Sequence, residues 1–168
     1  TSIWERKISD HWYTNLIDTT DKHLMEIERN IEFLKGLGIN YVNLHRFMPE
    51  TFTSLPKGLI FNENYFIIFP GSSWMGRKWK NESFAKVGRK ICEEYNYKML
   101  VCGVQTESND AQSIIKMSRT NNSINLAGKT TLSQFCELVR NAKILIGNET
   151  SAIHIAALMN TPSVCILG

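Results

Sequence analysis

The chain has 168 residues, 43% of them hydrophobic and 21% charged, with a formal net charge of +3. That length suffices for a buried core, and no uncharged apolar segment is long enough to span a bilayer, which excludes a membrane-spanning protein. Lysines and arginines are scattered among acids except in GRKWK (residues 76–80) and KVGRK (residues 86–90), too slight a basic footprint for a dedicated nucleic-acid binder.

Leu24, Ile27, Ile31 and Leu34 recur at intervals of three and four and predict an amphipathic helix over residues 23–37, closed by Gly36 and Gly38. INYVNLHRF (residues 39–47) reads as a short strand, and PETFTSLPKGLIFNEN (residues 49–64) as a connector. From there the pattern is regular. YFIIF (65–69) is a strand, followed by a helix with Phe84, Val87, Ile91 and Tyr95 on one face. KMLVC (98–102) is the next strand, and residues 109–119 form a helix aligning Ala111, Ile114, Ile115 and Ser118. INLA (124–127) precedes a helix opened by Thr131, with Gln134 three residues on as a capping box and Leu132, Phe135, Cys136 and Val139 as its buried face. AKILI (142–146) and SVCIL (163–167) are the last strands, joined by a helix over residues 151–159.

Strands that are apolar throughout, alternating with helices, imply a parallel sheet covered on both faces. The expected fold is α/β, a doubly wound Rossmann-like sheet. The cysteines at 92, 102, 136 and 165 lack CxxC spacing and read as reduced core thiols of a cytoplasmic protein, with a metal site as the alternative. The chain begins at Thr1 with no signal-peptide pattern and stops on a strand, so it reads as a piece of a longer protein, truncated at its C-terminus.

Doubly wound sheets bind ligands at the carboxyl ends of their strands. In FPGSSWMGRKWK, Gly71, Ser72 and Ser73 offer backbone amides and hydroxyls for wrapping a phosphate, with Arg77 and Lys78 as countercharge. A surface turn with solvated bases is the alternative. In CGVQTESN, Glu107 suits ribose hydroxyls, or is a solvated loop acid. LAGKTT matches only the end of a Walker motif, because residue 123 is Ser123 rather than glycine, and GxGxxG is absent. Lys129 and Thr130 then either line a nucleotide pocket or belong to a plain helix cap. In GNETSAIH, following Asn148, a helix starting at Ser151 exposes amides suited to a pyrophosphate. Thr150 and Ser151 add hydroxyls, Glu149 suits sugar hydroxyls, and His154 reaches the same side one turn on. The structural alternative is a cap, a solvated acid and a satisfied core histidine.

Three pieces, FPGSSWMGRKWKNESFAKV, NLAGKTTLSQFCELVRNAK and IGNETSAIHIAALMNTPSVCILG, together resemble the heptosyltransferases, glycosyltransferase family nine, in their C-terminal half. The resemblance covers residues 65–168, and HLMEIERNIEFLKGLGI resembles the helix before the family's interdomain connector. It implies a GT-B enzyme, with residues 1–64 as the end of the N-terminal half plus connector and residues 65–168 as the nucleotide-sugar-binding domain. It further implies that Lys78 contacts donor phosphate and acts in catalysis, and that Glu107 contacts the ribose. The family's Asp-Thr-Gly-x-x-His run falls on Glu149, Thr150, Ser151, Ala152, Ile153 and His154, where glutamate and serine replace aspartate and glycine and narrow the pocket. The family's Trp-Pro is here Trp79-Lys80.

The family's general base has no identifiable counterpart. Asp10, Asp18 and Asp21 lie too late in the first half, so the chain alone is expected to be inactive. The implied activity is inverting transfer from a nucleoside-diphosphate sugar, ADP-heptose-like, to a lipopolysaccharide core or related surface glycan. The glycolipid or glycan acceptor is reached through the other half. No cofactor is implied, and the absence of a DxD-like pair means that the sequence does not require a metal. Location is expected to be cytoplasmic, with peripheral association at the inner face of the bacterial inner membrane left open. The alternatives are a non-catalytic nucleotide-binding or assembly module and a nucleotide-sugar epimerase of the same architecture.

Overall fold

The computed structural model of the chain describes residues 26–40, 55–72 and 75–167. Residues 41–47 of the predicted strand, 49–54 of the connector, Ser73, Asp10, Asp18 and Asp21 lie outside the described residues. The chain divides into two compact units, Thr1–Arg46 and Phe47–Gly168.

In the first unit, helix α1 spans Glu26–Gly36. It ends as the two glycines predict: Ile39 N–H donates to the Leu34 carbonyl at 3.0 Å and Gly38 N–H to that of Lys35 at 2.9 Å. Gly38 takes φ +83°, the left-handed position of such a closure, where a Cβ would be strained. Ile31 and Leu34 are half-buried, whereas Phe33, Leu37 and Ile39 are exposed.

The second unit alternates strand and helix: β1 (Tyr65–Phe69), α2 (Asn81–Tyr95), β2 (Lys98–Val101), α3 (Ser108–Ser118), β3 (Ser123–Asn125), α4 (Leu132–Asn141), β4 (Leu145–Asn148), α5 (Ser151–Leu158) and β5 (Ser163–Ile166). All strand pairs are parallel, in the order β3-β2-β1-β4-β5. The expected doubly wound α/β sheet is therefore present. Its apolar strands follow from covering both faces: side chains alternate sides along a strand, so each side needs its own core. Tyr65 and Ile67 pack with Phe135, Leu138, Val139, Ala152 and Ala156 of α4 and α5. Phe66 and Ile68 pack with Phe84, Ala85, Ala111 and Ile114 of α2 and α3.

Departures from the sequence reading cluster where elements leave the sheet. Leu132, placed on the buried face of α4, is 70% exposed because it is the first residue of the helix, where it borders an open cleft, whereas Leu138 is fully buried. Tyr95, the last residue of α2, is also exposed. Of the four predicted core thiols, Cys102 and Cys136 are buried, Cys92 is half-buried and Cys165 is exposed, because β5 is an edge strand open along Ser163–Cys165. Burial pushes the Cys102 thiol up to about 12, which keeps it protonated and unreactive. Part of the connector joins the second unit: Leu59 is buried, and the Phe61 ring meets Tyr65 edge-on at 5.4 Å. Lys80, where the family has proline, holds φ −67° and ψ 141° at the start of α2, a backbone that proline also adopts.

β4 carries a glycine where it pairs with the end of β1. A Cβ on Gly147 would lie 2.8 Å from the Phe69 carbonyl oxygen and 3.3 Å from the Phe69 Cβ. The strand pair has no room for a methyl group without moving backbone. Gly147→Ala is expected to cost about 1–3 kcal/mol of stability, read as a lower urea midpoint with an unchanged slope.

Candidate functional site

The sheet order sets the place. From β1 the chain winds outward through β2 to β3, then returns to lay β4 on the other side of β1. The β1 and β4 loops lead to helices on opposite faces, α2 and α5. Diverging loops at such a switch point leave a crevice between them.

Asn148 closes the base of that crevice. It ends β4, is 1% exposed, and spends its amide on backbone: Nδ2 donates to the carbonyls of Pro70 at 2.8 Å and Gly71 at 3.2 Å, and Oδ1 accepts from Trp79 N–H at 3.1 Å. A buried side chain with both ends satisfied fixes the loop after β1 at three points. The Trp79 ring helps, meeting Phe84 edge-on at 5.0 Å. Sequence reading marked this position as polar but assigned it no role.

Glu107 links the first and second loops. Its Oε2 accepts from Val104 N–H at 2.9 Å, and its carboxylate lies against Gly71 and Gly103, where a Cβ on either would collide with it. Gly71 therefore makes room for Glu107, a requirement distinct from freeing amides for phosphate. The third loop is tied in by Gly128, at φ +73°, whose N–H donates to the Gly103 carbonyl at 2.9 Å while Gln105 packs against it. Lys129 turns back to cap its own strand, with Nζ 2.9 Å from the Asn125 carbonyl, and is exposed. The Thr131–Gln134 capping box forms as predicted.

Between these loops and α5 lies a cleft of about 230 Å³ with Phe69, Phe135 and Ile155 as apolar surface, Val104 and Leu132 beside them, and Thr130 and Ser151 as polar contacts. Pockets enclosing a whole small ligand usually reach several hundred Å³, so this cleft takes part of one. The exposed Leu132 belongs to its lining. A second cavity, of about 340 Å³, lies at the amino end of β1 between the connector and Lys143, away from these loops.

At the start of α5, Thr150 is extended at φ −147° and makes no side-chain cap. Its hydroxyl oxygen is buried and has no hydrogen-bond partner. Ser151, Glu149 and His154 are exposed, so the reading of His154 as a satisfied core histidine fails. Two cations of the first loop, Arg77 and Lys78, lean on different carboxylates. Arg77 approaches Glu149 at 3.6 Å with both side chains about half exposed, a pair worth little. Lys78 Nζ donates to Asp110 Oδ2 at 2.5 Å, and Asn81 Nδ2 donates to Asp110 Oδ1 at 2.8 Å. Asp110 escaped the sequence reading because an acid in the first turn of a helix already suits the helix dipole, and its partners lie about thirty residues away. Ser72 is half-buried beside Gly71, and Ser73 lies outside the described residues.

Two measurements check these contacts. Asn148→Ala removes the hydrogen bonds to two buried carbonyls and to the Trp79 N–H, and is expected to cost about 2–4 kcal/mol in denaturant unfolding. The hydrogen bonds from Lys78 and Asn81 hold the Asp110 carboxyl below the usual carboxylate range. With the folded pKa depressed, the stabilisation is complete above the ordinary aspartate pKa and lost as pH falls through the lowered value. Asp110→Asn is expected to flatten that acid limb of the stability curve.

Comparison with known proteins places this chain in a family. The family model for glycosyltransferase family 9 (heptosyltransferase) matches residues 15–168. Lipopolysaccharide heptosyltransferase 3 of Escherichia coli K12 is 26% identical over 175 residues, covering 99% of this chain and 48% of that protein. Lipopolysaccharide heptosyltransferase 2 of the same strain is 25% identical over 103 residues, covering 59% of this chain and 29% of that protein. The chain thus spans about half the length, or less, of these curated relatives. Among solved structures, E. coli heptosyltransferase WaaC with ADP-2-deoxy-2-fluoro heptose shares the fold at a TM-score of 0.63 and 17% identity, over 86% of this chain and 45% of that one. E. coli ADP-heptose lps heptosyltransferase II does so at 0.59 and 22%, over 70% of this chain and 40% of that one. On the match across residues 15–168, this chain belongs to glycosyltransferase family 9, the heptosyltransferases.

Proposed function

We propose that the chain supplies the donor-binding part of an inverting glycosyltransferase, taking a nucleoside-diphosphate sugar, ADP-linked and heptose-like, for transfer to a lipopolysaccharide core or related surface glycan. In this reading residues 65–168 are the donor domain, and residues 1–64 are the end of an N-terminal half plus connector. The acceptor hydroxyl, deprotonated by a base outside the donor domain, attacks the anomeric carbon as the nucleoside diphosphate leaves. The donor domain's work is electrostatic: Lys78 and the first amides of α5 face the charge that grows on the leaving diphosphate. Without the acceptor-side base the chain alone turns over no substrate.

The observation that carries the reading is the buried, unpartnered Thr150 hydroxyl at the mouth of α5, beside a cleft that Ser151 lines. Buried hydroxyls without partners are rare, and an anion at this helix end would accept from it. Glu107, half-buried between two loops at the strand ends, is the ribose contact. Glu149 exchanges its weak Arg77 pair for sugar hydroxyls. Gly71, Ser72 and Ser73 lie along the phosphate path, and Lys129 and Thr130, with His154, border the donor. In support, one family structure holds ADP and another holds ADP-2-deoxy-2-fluoro heptose.

Calorimetric titration of the chain with ADP tests this. ADP binding is expected, and Thr150→Val should weaken it about tenfold or more, the worth of a hydrogen bond to a charged group. The melting temperature should not fall, because the buried hydroxyl has no partner to lose. Glu149→Gln should leave ADP affinity unchanged and weaken the ADP-sugar. A folded chain that binds no ADP defeats the assignment.

A further inference from the structure

Lys78 is held by a carboxylate that itself bridges two helices. Its ammonium meets Asp110 in the first turn of α3, and the other oxygen of that carboxylate is held by Asn81, the first residue of α2. Lys78 is only 19% exposed and Asp110 33%, so the pair is better shielded than the half-exposed Arg77–Glu149 pair across the crevice. A lysine ammonium has three donors. Asp110 takes one, with both its own oxygens engaged, and so fixes the direction of the other two. The carboxylate stands on the α2/α3 face of the sheet, opposite to α5, and therefore draws Lys78 to the far wall of the crevice from the α5 amides. Those amides and Lys78 then stand on opposing sides of the crevice.

We propose that Asp110 is the positioning residue for Lys78, aiming the ammonium across the crevice at the donor's diphosphate while Asn81 holds the carboxylate in place. The proposal rests on the donor-site reading and adds to it a residue that itself need not touch the donor. Two effects oppose each other. As a negative charge near an anion site Asp110 weakens diphosphate binding, and as the support of a flexible lysine it strengthens it. Because ordering a long lysine side chain costs conformational entropy, the supporting role prevails while Lys78 is present. Once Lys78 is gone, only the repulsion remains.

A double-mutant cycle on the chain, read by ADP calorimetry and melting temperature, separates these roles. Asp110→Asn keeps an acceptor for Asn81 and removes the charge. With Lys78 in place it is expected to weaken ADP binding by roughly threefold to tenfold. In the Lys78→Ala background the same substitution should not weaken binding at all. Equal weakening in both backgrounds would make Asp110 a plain clamp between helices and overturn the proposal, as would unchanged or tighter binding with Lys78 present. If Lys78→Ala itself leaves ADP affinity unaltered, the role given to Lys78 fails, and the proposal falls with it. If Lys78→Ala weakens binding while Asp110→Asn does not, the proposal alone fails and the donor site stands.

Discussion

One amide side chain governs the carboxyl edge of the sheet. Asn148 sits where β4 ends, sealed from water, and its two polar atoms are shared among three backbone groups of the loop after β1. Those groups would otherwise need other partners, since a buried strand end offers no water. The course of the first loop, and with it the placement of Arg77 and Lys78, follows from that constraint. Gly147 complements it by letting β1 and β4 approach closely just before the clamp.

Around that clamp the loops are tied in series. Glu107 lies between the glycines of the first and second loops, and Gly128 anchors the third to Gly103. Glycines at these points serve close approach, so their absence from any GxGxxG pattern does not weaken the architecture. Charge is distributed across the crevice in the same way, one cation leaning on the acid after β4 and the other on an acid of α3.

Much of this was legible in the residues. The strands were readable because a sheet buried on both faces must be apolar throughout, and α4's start because Thr131 and Gln134 carry their own local geometry. The order of strands was not, since it depends on which side of β1 the chain returns to. Leu132 and Tyr95 misled because helical periodicity does not say whether the first and last residues of a helix are covered, and Cys165 because apolar runs look alike at edge and centre. The polar cluster GNETS marked the end of β4, but the backbone role of Asn148 within it was not legible, because its partners lie about seventy residues or more away along the chain. Asp110 carried no signal, because a pairing across thirty residues of chain leaves no trace in local pattern.

Lys80 carries one further consequence. Its φ of −67° is the value a proline ring would impose, yet no ring imposes it. A proline there would narrow the unfolded ensemble and lower the entropy lost on folding. With lysine the turn into α2 is held by enthalpy instead, through the Trp79 N–H on Asn148 and the Trp79 ring on Phe84. The entry into α2 therefore depends on side chains from β4 and α2 for an order that a proline ring would supply within a single residue.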